Sequence, residues 1–209
     1  MKKIDLKLKR ENHFIGAWQL DDTELCNEVI NFFNKDNENH KHISVLEKIK
    51  NNDQSDFIRL IVSPNRVKEE NLEIIKKYIE TLMLSYQQFL NDWDFFQKWD
   101  RIYLGDIFID KFLLSGHNKR YHCDRDSIDN SHKMLSWITF LNDLDDDEGL
   151  MSFKYLNVDI KPKKGLTLIW PSDWTHTYNE GQIKKNEKYV IRGNIHYPDT
   201  LIQLWIFLK

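Results

Sequence analysis

From residue 107 onward the chain is cut into short apolar runs separated by turn formers, and that texture narrows the possible folds more than any other feature. Residues 107–114 stop at Ser115-Gly116, residues 134–141 at Asn142-Asp143, and residues 158–162 and 166–170 are divided by Pro162-Lys-Lys-Gly165. Runs of this length, bounded by Gly, Pro, Asn and Asp, read as strands. They alternate or run apolar, as strands of a sandwich do. In the last of them, 188–196, Lys188, Val190, Arg192 and Asn194 share one face. His196 is read as structural or surface.

The first hundred residues have a different period. Residues 14–18 predict a short strand, and Asp21 or Asp22 offers an N-cap to a helix that places Leu25, Cys26, Val29, Ile30 and Phe33 on one face. Cys26 there is a small buried hydrophobe. Residues 34–55 are rich in Asn, Lys, Asp and His and predict a surface segment, with a short helical piece at 45–49 and a solvated His40-x-His42 pair. After a turn at Pro64, a long amphipathic helix is expected from about Glu69 to Leu90, with Leu72, Ile75, Ile79, Leu82, Tyr86 and Phe89 as its core stripe. Trp93, Phe95, Phe96 and Trp99 are too aromatic for an exposed loop. They are expected to cover an edge of the β-region or to form a partner surface. The acidic run 143–148 reads as a solvated hairpin loop, or as a lip that recruits a cationic substrate. Residues 201–208 predict a last apolar strand.

Composition bounds the function. A chain of 209 residues suits one domain. A net charge of -3, from 30 basic and 33 acidic residues, gives no bulk electrostatic case for nucleic acid or an anionic membrane. Aromatic residues at 13 % suit a β-rich core and a pocket walled by rings. Cys26 and Cys123 are too few for a disulfide framework. No apolar run is long enough to span a membrane, and the charged opening has no apolar stretch behind it, so no signal peptide is expected.

Against this background one constellation carries chemistry. In Tyr121-His122-Cys123-Asp124 an extended backbone turns His122 and Asp124 to one face and Cys123 away. Both can reach one metal ion. His176, in the aromatic run Trp174-Thr-His-Thr-Tyr178, can supply a third ligand, and on alternating positions Trp174 and Tyr178 share its side as pocket walls. Two imidazoles and a carboxylate form a facial triad that leaves positions open for non-haem Fe(II) oxygen chemistry. The competing reading is a non-enzymatic β-barrel binding protein in which these residues are structural or hold zinc.

Residues 14 to about 197 resemble the 2-oxoglutarate and Fe(II)-dependent oxygenases, and among them the small prolyl-4-hydroxylase-like members of bacteria and phages. The likeness lies in "FIGAWQL", "HCD", "LSWITFLND", "KPKKG", "IWPSDWTHTY" and "KYVI". It implies a mainly β chain with flanking helices: a double-stranded β-helix of the jelly-roll kind over 101–209, buttressed by a mostly helical 1–100. It implies His122, Asp124 and His176 as iron ligands, and 2-oxoglutarate and O2 as cosubstrates. Lys188 would pair with the distal carboxylate of 2-oxoglutarate, with Arg192 as competitor, and Asn194 would join the substrate pocket. Relatives have a tyrosine ten residues before the first iron histidine, where this chain has Phe112; Tyr121 or Tyr103 would then take over its hydroxyl role. The implied reaction is hydroxylation of a prolyl residue in a peptide or of a small metabolite, in the reducing cytoplasm. Oxidation of a nucleic-acid base is the alternative within the same chemistry.

Overall fold

Strands with one dry face and one mixed face need covering on both sides, and here helices cover one side and a second sheet the other. The computed structural model describes residues 1–6, 8, 12–38, 57–98, 102–114, 118–145 and 148–197. Along these run β1 (Lys2–Lys3), β2 (Gly16–Gln19), α1 (Glu24–Glu38), β3 (Phe57–Val62), α2 (Pro64–Glu69), α3 (Glu73–Asp92), β4 (Tyr103–Phe112), β5 (Asn118–His122), β6 (Lys133–Phe140), β7 (Met151–Phe153), β8 (Val158–Ile160), β9 (Leu166–Pro171), β10 (Tyr178–Glu180) and β11 (Lys188–His196). The large sheet has the order β1-β2-β9-β6-β11-β4-β3 and the small one β5-β10-β7-β8. Neighbouring strands are antiparallel throughout both. The two sheets wind into a double-stranded β-helix, as the resemblance implies.

Side-chain parity separates two cores. Leu60, Ile107, Ile109, Trp137, Ile169 and Ile191 leave the large sheet on its outer face and meet the helices through Val29, Phe33, Ile75, Leu82 and Phe89. The residues between them, among them Ile138, Leu168 and Val190, point inward to Met151, Phe153 and Tyr178 of the small sheet. Burying an aliphatic or aromatic side chain of this kind stabilises by about 1.5–3 kcal/mol, so the amphipathic stripe is what fastens the helices. Inside the outer core, the hydroxyls of Tyr78, Thr139 and Thr167 satisfy one another at 2.7 Å each. Cys26 is buried as expected, and burial pushes its thiol up to about 11.

The structure also departs from expectation. The turn expected at Pro64 is a short helix: Ser63 caps α2 by accepting from the Arg66 amide at 3.2 Å, and Asn71, at φ 52°, parts it from α3, the long amphipathic helix expected there. The first hundred residues are not merely a helical buttress, because β1, β2 and β3 lie in the large sheet. Trp93 and Phe96 pack on Phe89, whereas Phe95 is exposed. Glu148, expected in a solvated run, is buried, and neither carboxylate oxygen has a hydrogen-bond partner among the described residues. The expected piece at 45–49, the His40-x-His42 pair, Trp99 and the tail strand lie outside the described residues.

Candidate active site

β5 ends at His122, and the two following residues carry Asp124 to the mouth of a cavity of about 230 Å³ between the sheets. Both residues line it, together with Trp170, Tyr178, Arg192 and Asn194. Three neighbours hold the Asp124 carboxylate. Ser136 Oγ donates to Oδ2 at 2.6 Å, Asn194 Nδ2 to Oδ2 at 2.9 Å, and the Tyr178 hydroxyl to Oδ1 at 3.2 Å. Burial and the charge of Asp124 hold the Tyr178 phenol well above its ordinary pKa, so it remains a donor. The His122 ring lies 4.4 Å from that of Tyr178, and its Nδ1 is 3.1 Å from the Arg120 carbonyl. A carbonyl only accepts, which selects the tautomer whose Nε2 carries the lone pair. Among the described residues Asp124 forms no ion pair, although three donors fix its charge. An oriented carboxylate and an oriented imidazole are donors of the kind a divalent metal ion takes.

His176 does not join them. It ends a 3-10 turn, Trp174–His176, capped by Asp173, whose side chain accepts from the Thr175 amide at 3.1 Å. His176 Nε2 lies 2.8 Å from the carbonyl of His13, so in this arrangement that nitrogen bears hydrogen and offers no lone pair. Nδ1 is 2.8 Å from the Thr175 hydroxyl. The hydrogen bond with His176, then those with Thr175, holds the Asp173 carboxyl well below the usual range. Among the described residues no three of His, Cys, Asp and Glu are grouped as a metal site. As placed, His122 and Asp124 share one cavity, and His176 is turned to the His13 carbonyl.

Beside these residues the charges form a chain. Arg59 grips Asp110 through Nε at 2.7 Å and Nη2 at 2.8 Å. Arg192 Nε lies 2.6 Å from the same carboxylate, and Arg192 Nη1 donates to Glu180 at 3.0 Å. Glu180 also takes the ammonium of Lys188. Burial works against the Glu180 charge, but Lys188 and Arg192 prevail and hold its carboxyl at about 2. Lys188, expected to meet a ligand, is thus occupied by a side chain of the protein itself. Its ammonium rests 4.9 Å from the Phe112 ring, so the residue that stands in place of a tyrosine serves as a cation-π floor.

The remaining expectations divide by local geometry. Tyr178 and Asn194 wall the cavity, as read from strand parity. Trp174 is 70 % exposed, because the turn that holds His176 is not a strand and alternation does not apply there. Tyr121 points opposite to His122, lies 41 % exposed with the Lys154 ammonium 5.5 Å from its ring, and supplies no hydroxyl to the cavity. Tyr103 lines a separate cavity beside His196. Sequence reasoning missed Arg59, Asp110, Ser136 and Glu180. Asp110 and Ser136 carried a signal: each is a polar residue at inward parity between apolar ones, Phe108 and Phe112 or Met134 and Ile138.

No family model and no curated protein sequence matches the chain. Solved structures do. The two antiparallel sheets place the chain in the structural class of the double-stranded β-helix proteins. Within that class, the viral collagen prolyl hydroxylase of Paramecium bursaria Chlorella virus-1, solved as a 2OG complex, is 17 % identical, with 88 % of this chain and 97 % of that one covered at a TM-score of 0.64. A Pseudomonas putida prolyl-4-hydroxylase is 13 % identical, with 89 % and 94 % covered at 0.65. A Trichoplax adhaerens prolyl hydroxylase, solved with a peptide fragment of the oxygen degradation domain of hypoxia inducible factor, is 13 % identical, with 88 % and 84 % covered at 0.64. At these identities the likeness establishes the fold.

Proposed function

We propose that this protein is a 2-oxoglutarate-dependent, non-haem Fe(II) dioxygenase that hydroxylates a C–H bond of a small molecule or a peptide, a prolyl residue being one such target. The observation that carries the reading is Asp124, a carboxylate held by Ser136, Asn194 and Tyr178 beside His122, in a cavity that Arg59 and Arg192 also line. The prolyl hydroxylases of the same fold support it. In this reading His122 and Asp124 hold the metal, and His176 becomes the third ligand by giving up the His13 carbonyl. Ferrous iron, 2-oxoglutarate and dioxygen would together supply an oxidative decarboxylation that yields succinate and CO2 and oxidises the substrate.

The chain's own part is binding and orientation. Ser136 and Asn194 fix one oxygen of Asp124, and the Tyr178 phenol fixes the other. The Arg120 carbonyl sets the His122 tautomer. Trp170 and Tyr178 keep the walls dry, and the guanidinium end attracts a carboxylate ligand. The test is succinate formation from 2-oxoglutarate with Fe(II), read beside Co(II) binding. Asp124→Ala and His176→Ala should each reduce succinate to background and weaken Co(II) binding while the melting curve stays cooperative. Wild-type succinate formation by His176→Ala would refute its place among the ligands.

A further inference from the structure

We infer that Asp173 and Thr175 are positioning residues for His176. The Asp173 carboxylate claims the hydrogen of the Thr175 hydroxyl, the hydroxyl oxygen takes the hydrogen on His176 Nδ1, and Nε2 is left as the nitrogen with the lone pair. The inference rests on the dioxygenase reading only in naming a metal ion as what takes that lone pair. Which nitrogen carries hydrogen is decided by the neighbours of the ring.

The direction of the relay follows from what each group can do. A carboxylate only accepts, so the short contact between Thr175 Oγ1 and Asp173 Oδ1 holds the hydroxyl hydrogen. A hydroxyl has one hydrogen to give. Thr175 Oγ1 therefore meets His176 Nδ1, 2.8 Å away, with a lone pair, and Nδ1 is the donor. A histidine that ligates a metal gives the hydrogen of its other ring nitrogen to an acceptor in this way. For His122 the Arg120 carbonyl plays that part. For His176 the acceptor is a hydroxyl polarised by a carboxylate, beside a buried ring, where such bonds are strongest.

Asp173 is itself held for the task. Its Oδ1 also accepts from the Thr175 amide at 3.1 Å, which closes the turn Trp174–His176, and its Oδ2 takes Arg125 Nη2 at 3.2 Å. Arg125 follows Asp124 in the chain, and its own amide donates to the Ser172 carbonyl at 2.9 Å. Ser172 Oγ lies 2.9 Å from Ser136 Oγ, which donates to Asp124. The turn that carries His176 is thus tied to the segment that carries Asp124. One group opposes the relay. The His13 carbonyl also only accepts and lies 2.8 Å from Nε2, so a ring with one hydrogen satisfies either the relay or that carbonyl. The relay is backed by a charge and the carbonyl is not, so the carbonyl contact is the one given up.

The experiment reads the His176 tautomer from the ring-nitrogen resonances of protein labelled at histidine. EDTA is present, and the pH is at the alkaline end of the range in which the fold persists, where the ring holds one hydrogen. His176→Gln assigns the signal. Wild type should show hydrogen on Nδ1. Thr175→Val keeps the shape of the side chain without its oxygen; it should move the hydrogen to Nε2 and weaken Co(II) binding by about 10–100-fold. Thr175→Ser should restore both readouts. Asp173→Asn keeps an acceptor for the Thr175 amide but loses the charge, and should shift the tautomer part of the way. Cooperative thermal unfolding verifies that each variant is folded. The inference is overturned if wild type carries the hydrogen on Nε2, if Thr175→Val or Asp173→Asn leaves the tautomer unchanged, or if Thr175→Ser fails to restore it. A Thr175-dependent Nδ1 hydrogen in a protein that neither binds Co(II) nor forms succinate would sustain the relay and defeat the dioxygenase reading, so the two failures are distinguishable.

Discussion

The two faces of β11 lie one residue apart along the chain and differ completely in chemistry. Tyr189, Ile191 and Ile195 join the dry core under the helices, and Gly193 lies so close beneath Trp137 that a Cβ there would come within 2.7 Å of the indole. Lys188, Arg192 and Asn194 lie on the other face, where Arg192 and Asn194 line the cavity and Lys188 is buried against Glu180. The contrast teaches that one strand can supply both the stability of the fold and the specificity of the site, provided its register is fixed. β4 and β6 fix it from either side, since a slip of one residue would bury the charges in the helix-backed core.

The largest test of this division is Asp110→Asn, which leaves two guanidiniums facing each other. Removing one partner from a buried ionic group costs about 3–5 kcal/mol, and urea unfolding should show a loss of that order. Ile191→Ala, on the opposite face of the neighbouring strand, should cost about 3 kcal/mol through its cavity. It should leave 2-oxoglutarate affinity within about twofold, read by calorimetry below the new melting temperature. If Ile191→Ala changed affinity as much as stability, the two faces would not be independent.

A pH series separates the faces further. Glu180 is held at about 2 against an ordinary 4.5, so its folded value lies below its unfolded one. Its contribution to stability is then complete above pH 4.5 and is lost as pH falls towards 2. Urea midpoints should fall through that window in wild type and fall less steeply in Glu180→Gln/Lys188→Met. Ile191→Ala should keep the wild-type slope. The smallest effect belongs to Ser136→Ala, which removes one donor from Asp124. Co(II) affinity should drop about tenfold, as for other groups that orient a metal ligand, with little change in melting temperature.

Much of this division could be read from the chain itself, and the misses have physical causes. Period-two alternation places Lys188, Arg192 and Asn194 on one side of β11, and the spacing of His122 and Asp124 brings both to one cavity. Alternation failed at Trp174 because Asp173 caps a 3-10 turn there, and a turn obeys no two-residue period. The turn expected at Pro64 is instead a helix, because Ser63 caps it, and left-handed Asn71 parts it from the expected long helix. Arg59 was out of reach for another reason. It lies in a short strand whose partner Asp110 is 51 residues away, and pairing over that distance leaves no trace in local pattern. Lys188 was correctly placed as a buried cation, but its partner Glu180 comes from a three-residue strand of the other sheet.

The acceptor that occupies His176 is a main-chain oxygen, that of residue 13. Exchanging the side chain at that position keeps the oxygen in the chain, so replacing residues one at a time would report the ring's bond with the Ile15 amide and pass over this contact. Trimming the polypeptide ahead of β2, or replacing that peptide linkage with an ester, are the manipulations that would expose the clasp.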